Sequence, residues 1–165
     1  MGAEVAGGRR RVLVAGVGNI FLGDDGFGSE VARRLAGVDL PAGVRVVDYG
    51  IGGVHLAYEL LDGYDQLILV DAVPIGDAPG ALTVTEITDD DIGVAGFDAH
   101  AMDPGAVLAN LRRLGGTLPP TLLVGCRPAS VAEGMGLSEP VRAAVDAAIR
   151  TITDLVTSPR SAIHA

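Results

Sequence analysis

Residues 11–28 read RVLVAGVGNIFLGDDGFG, and the fold turns on how they divide. Arg11-Val12-Leu13-Val14-Ala15 is an apolar run of strand length, rich in β-branched residues. Gly16-Val17-Gly18-Asn19 follows at once, a place where the backbone can turn sharply and take positive φ. After the short apolar segment Ile20-Phe21-Leu22 come two adjacent acids, Asp24 and Asp25. Phe27, Val31 and Leu35 then recur at i, i+4 and i+8, the inner face of a helix. The two acids therefore sit on the loop between a buried strand and the helix after it. In α/β proteins ligand chemistry is built on that loop.

The same alternation continues outward. Val44 to Val47 makes a second strand ending in Asp48, and Gly50, Gly52 and Gly53 form a second permissive turn. The helix after it buries Val54, Leu56, Ala57, Leu60 and Leu61. Gln66 to Val70 is uninterrupted and apolar, as expected for a strand covered on both faces, and it stops at Asp71. Ala81 to Ile87 alternates polar and apolar residues and reads as a half-exposed or edge strand, followed by an acidic, irregular stretch over 88–99. Asp103-Pro104 starts a helix with Val107, Leu108, Leu111 and Leu114 inside. Thr121 to Val124 is the last strand. Ser138 and Pro140 open a final helix packed through Val141, Val145, Ile149, Ile152 and Val156. Strands alternating with helices predict a three-layer α/β/α sandwich around a largely parallel twisted sheet of five strands. Residues 1–10 read as a flexible leader, 11–157 as a single domain and 158–165 as a frayed tail.

Composition narrows the function. At 165 residues the length fits one domain with a substantial core. Twelve basic residues against 21 acidic ones argue against a nucleic-acid partner. The leader has arginines but no apolar stretch behind them, so it is neither a secretory signal nor a membrane span. Cys126 is the single cysteine, which excludes an internal disulfide and a cysteine-based zinc cluster. A reducing, cytoplasmic setting is expected.

Several chemistries can be weighed on these residues. Gly16-Val17-Gly18, with Asp48 placed like a ribose-binding acid, invites a dinucleotide reading. The third glycine of that fingerprint is missing, because its position is Phe21, and two acids would repel a pyrophosphate. No G-x-S-x-G elbow is present, and Cys126 reads as a small buried thiol without a base. Asp24 or Asp25 can serve as a helix cap and dipole partner, which accounts for one of them more easily than for both. Asp71 is either a surface-facing strand end or a functional carboxylate whose burial demands a partner. His100 is either a solvated loop histidine or a ligand, while His55 reads as exposed or capping and His164 lies in the tail. Asp25, Asp71 and His100 form an oxygen–oxygen–nitrogen set drawn from three loops. Such a set can hold a divalent transition metal with positions left open, provided the fold brings the loops together.

These residues also resemble those of a known family. GVGNIFLGDDGFG, Asp48-Tyr49-Gly50-Ile51-Gly52-Gly53, Leu67-Ile68-Leu69-Val70-Asp71-Ala72 and Val124-Gly125-Cys126-Arg127-Pro128 with Gly136-Leu137-Ser138 are similar to segments of the nickel–iron hydrogenase maturation endopeptidases. The resemblance runs from Val12 to the final helix and implies a phosphorylase/hydrolase-like α/β/α fold. It places the family's metal-binding and catalytic acids on Asp25 and Asp71 and its loop histidine on His100. Ala99 stands where serine or threonine often precedes that histidine.

The implied activity is that of an aspartyl-type endopeptidase in the cytoplasm. It would remove the C-terminal extension of a hydrogenase large-subunit precursor once nickel is in place. The nickel would arrive with the precursor, and no organic cofactor, nucleic acid or membrane would take part. Two other functions share parts of this pattern. One is a chaperone that checks nickel loading without cutting, and the other is a nucleotide- or nucleoside-using α/β enzyme.

Overall fold

The computed structural model describes residues 10–51, 53–88 and 104–158. Among these residues five strands form one sheet in the order β2-β1-β3-β5-β4. They are β1 (Val12–Val17), β2 (Val44–Gly50), β3 (Gln66–Ala72), β4 (Leu82–Ile87) and β5 (Thr121–Cys126). The first three and β5 run parallel, and β4 is the antiparallel edge. Among the described residues four helices connect them: α1 (Phe27–Leu35), α2 (Gly53–Leu60), α3 (Pro104–Arg113) and α4 (Glu139–Thr157).

Hydrophobic pattern explains the layering. β1 is buried along its whole length, and so is β3 from Gln66 to Val70. Their side chains alternate between two cores. Val12, Val14, Ile68 and Val70 face α1 and α4, where Phe27, Val31, Leu35, Val141, Val145 and Ile152 meet them. Leu13, Ala15, Leu67 and Leu69 face α2 and α3, against Leu56, Leu60, Val107 and Leu111. A sheet packed on both faces with helices is the expected α/β/α sandwich. Burial of each large apolar side chain contributes about 1.5–3 kcal/mol. Among the described residues, no helix is long and apolar enough to cross a membrane.

The helix faces need two corrections. Leu61 and Leu114 are exposed, because α2 and α3 end before them and the chain turns away. The Asp103 cap and the tail 159–165 lie outside the described residues, as does the leader up to residue 9.

Candidate active site

Four parallel strands deliver four loops to one end of the sheet, and Asp25 and Asp71 lie there. The geometry begins with glycine. β1 continues through Val17, so Gly16 lies within the strand and the turn comes later than the sequence suggests. Its role is close approach: a Cβ on Gly16 would lie 2.2 Å from the Gly28 carbonyl oxygen. Reciprocally, a Cβ on Gly28 would lie 2.2 Å from the Val70 oxygen and 2.4 Å from that of Val17. Helix α1 thus rests directly on the strand backbones. Gly18 makes the turn at φ 138°, a left-handed value that a side chain resists. A Cβ there would sit 2.0 Å from the Asp25 carbonyl oxygen and 3.8 Å from Asp71 Oδ1. The missing side chain lets the Asp25 loop fold over the strand ends beside Asp71.

Asp24 and Asp25 fall in a 3-10 turn, Gly23–Gly26, that precedes α1. The capping expectation fails here, since the helix N-cap is Gly26 and no side chain caps it. Asp24 instead faces the β5–α4 loop. Its Oδ2 accepts from the backbone N–H of Ala129 (2.8 Å) and Ser130 (3.2 Å) and from the Ser138 hydroxyl (2.8 Å). Its Oδ1 accepts from the Ser138 N–H at 2.7 Å. Burial alone would raise this carboxyl's pKa, but the hydrogen bonds from Ser138, Ala129 and Ser130 outweigh it and hold it below the usual value. Asp24, only 1% exposed, is an ionised clamp between two loops. Ser138 stands at the N-cap of α4 as its sequence suggested, yet its hydroxyl serves Asp24 rather than its own helix.

Asp25 points the other way. It is 8% exposed, and its Oδ2 accepts the Asn19 N–H at 2.9 Å. Asn19 in turn accepts the Phe21 N–H at 2.9 Å, which fixes the loop's own shape. Asp71, at the end of β3, is partly buried, and its Oδ1 accepts the N–H of Ala72 at 2.8 Å. Burial, and then the nearby Asp25 charge, hold the Asp71 carboxyl well above the ordinary range. The structure therefore brings Asp25 and Asp71 together. His100 lies outside the described residues. Among the described residues, no group of three His, Cys, Asp or Glu side chains could hold a metal.

The alternative chemistries lose ground on the same geometry. Cys126 is fully buried, and burial followed by the charge of Asp24 pushes its thiol up to about 11, far from a reactive thiolate. Asp48, the candidate ribose acid, uses Oδ1 to accept from the Ser29 hydroxyl (2.7 Å) and the Gly50 N–H (2.9 Å), pinning the end of β2 to α1. Buried Asp24 and Asp25 precede the α1 N-terminus, where a pyrophosphate would have to sit. His55 is exposed on α2. A cavity of about 380 Å³ opens behind the 3-10 turn, between Ile20 and the 135–137 segment, with Asp48 and Glu30 on its wall.

The clamp was the part that sequence reasoning missed. Its donors stand 105 to 114 residues from Asp24, so no local spacing announces it. The available signal was the second acid itself, which one helix cap could not explain.

A family profile described as hydrogenase maturation protease matches residues 29–155. A putative hydrogenase maturation protease of Methanocaldococcus jannaschii is 33% identical over 87% of this chain and 95% of its own length. The hydrogenase 2 maturation protease of Escherichia coli is 30% identical over 93% of this chain and 99% of its own. Among solved structures, the hydrogenase maturating endopeptidase HybD from E. coli superposes with a TM-score of 0.77 at 29% identity, over 89% of this chain and 92% of that one.

Proposed function

The chain belongs to the hydrogenase maturation protease family and is a peptidase; from that premise we propose that it removes the C-terminal extension of a nickel–iron hydrogenase large-subunit precursor in the cytoplasm. The proposal includes recognition of the precursor's nickel through Asp25, Asp71 and His100. The observation that carries it is the state of Asp71. A carboxyl is held at a strand end, half out of water, beside a second acid that raises its pKa. Burying like charges side by side costs stability, and a cation delivered between them repays that cost. Such a pair supplies two oxygen ligands and leaves positions open for groups already on the metal. His100 would add a nitrogen.

The residues divide the work as follows. Gly18 gives the ion and the scissile segment access to both carboxyls, since any side chain there would press on the Asp25 backbone. Asn19 orients Asp25 through its N–H. Asp71 would hold the cation as a carboxylate, its proton passing to solvent on binding. Holding the scissile peptide beside the carboxyl pair would supply rate through proximity, and the ion, when bound, would supply polarisation of the carbonyl or activation of water. A carboxylate of the pair acting as general base is the competing assignment for the proton.

The deciding experiment is the intact mass of a nickel-loaded precursor before and after incubation with this protein. Asp25→Asn, Asp71→Asn, His100→Ala and nickel-free precursor run alongside. Loss of a C-terminal peptide only with nickel and the unaltered protein supports the reading. A nickel-dependent complex without a mass change would instead make it a loading checkpoint.

A further inference from the structure

Eleven large apolar side chains are exposed among the described residues. Six of them are Ile20, Phe21, Ile51, Ile75, Val131 and Met135, and all six lie on loops that leave the carboxyl ends of the parallel strands. Every one of the four loops contributes. Phe21 is 59% exposed and Met135 70%, and exposed apolar side chains gathered at one end of a molecule mark an interaction surface. The two loops richest in such residues are also joined. The Phe21 carbonyl accepts the Gly134 N–H at 2.8 Å, Gly23 N–H donates to the Gly134 carbonyl at 2.7 Å, and Leu22 bridges Gly134. Asp24 ties the same loops from beneath. These side chains are thus presented on a fixed frame, which lowers the ordering cost of binding.

The same end of the sheet carries the acidic pair Asp25 and Asp71, and a cavity of about 380 Å³ opens between Ile20 and Met135, with Asp48 and the ion-paired Glu30 and Arg33 on its wall. That arrangement selects the occupant. A second copy of this chain, with its net charge of −9, would set acid against acid across the face. A short extended peptide would cover one loop pair and leave the others wet. A folded partner with an apolar surface and a positive centre matches both features. We infer that this face is where the folded body of the precursor docks, with one apolar side chain of that partner seated in the cavity between Ile20 and Met135. The inference rests on the reading that the precursor is the substrate, and it adds that affinity comes from the fold around the nickel site as well as from the ion.

Ile20→Asp and Met135→Asp test it, with Tyr58→Asp and Val84→Asp as matched controls, exposed apolar residues on α2 and β4 away from this end. All four should melt as the unaltered protein does. Steady-state cleavage of the nickel-loaded precursor gives KM and kcat, and sedimentation gives complex formation independently of cutting. The face variants should raise KM about tenfold with kcat within twofold, and the controls should change neither. Unchanged KM in the face variants, or an equal rise in the controls, overturns the docking surface while leaving the protease standing. Binding that Ile20→Asp and Met135→Asp weaken, without cleavage by any form, upholds the surface and removes the proposed cleavage of this precursor. Neither binding nor cleavage by the unaltered protein removes both. A concentration-dependent dimer that Met135→Asp abolishes, with KM unaffected, assigns the face to a second copy and overturns the inference.

Discussion

Asp24 accepts four hydrogen bonds from Ala129, Ser130 and Ser138, while Asp71 accepts one from the residue next to it and faces another acid. Both carboxyls are withdrawn from water at the same end of one sheet. Donors decide which way each is driven. Four of them stabilise the Asp24 anion by more than burial costs it, whereas burial and Asp25 penalise the Asp71 anion. The first region is satisfied and rigid. The second sets one withdrawn carboxyl against another acid, with burial and the neighbouring charge both opposing its ionisation. Fixing the first is what allows the second to persist, because the 3-10 turn carrying both Asp24 and Asp25 cannot swing away from Asp71.

The contrast breaks most visibly at Asp71. Asp71→Asn keeps the shape and removes the charge, so precursor cleavage should fall by about 10³-fold, read by intact mass. The same variant should be more stable than the unaltered protein by about 1 kcal/mol near neutral pH. The sign follows from the raised folded-state pKa. Below the ordinary value of 3.8, Asp71 is protonated both folded and unfolded and costs nothing. As pH rises above it, the unfolded chain ionises first and stability is lost until the folded carboxyl ionises too. Melting curves from pH 4 to 8 should therefore show the variant's advantage growing with pH, and a constant advantage would contradict the assignment.

Asp24→Ala works in the opposite sense. Removing one acceptor strands donors beneath two loops and should cost about 3 kcal/mol in urea unfolding at pH 7. The depressed pKa of Asp24 makes its contribution present above 3.8 and lost as pH falls through the folded-state value, so the deficit should shrink in acid. Ser138→Ala removes the hydroxyl donor but keeps the backbone one, and a loss of about 1 kcal/mol is expected. Cys126→Ala is the smallest test: cleavage should stay within about twofold, and thiol reagents should leave the native protein active, because the buried thiol is held near 11.

Much of the frame was legible in the residues because its causes are local or periodic. Uninterrupted apolar runs marked β1 and β3, the i, i+4, i+8 spacing of Phe27, Val31 and Leu35 marked α1, and alternation marked the edge strand β4. That Asp25 and Asp71 end up near one another followed from the alternation of strands and helices, which sends the loops after β1 and β3 to the same end of the sheet. What could not be read depends on contacts distant in sequence. The 3-10 turn, the Asp24 clamp and the Gly16–Gly28 contact arise only once β5 and α1 are packed. The exposure of Ile20 and Phe21 was not legible either, because their apolar character alone does not say which side of the loop faces water.

The clamp also has a consequence for the order in which the molecule is made. Asp24 emerges early in synthesis, but its donors are Ala129, Ser130 and Ser138. Until the last strand and its following loop have been synthesised, the Asp24 carboxylate has none of these partners and the turn beneath Asp25 has no anchor. A nascent chain can build β1, α1, β2 and β3 from nearer neighbours, yet the acidic centre closes last. The acidic pair thus gains its support only after β5 and the loop behind it exist.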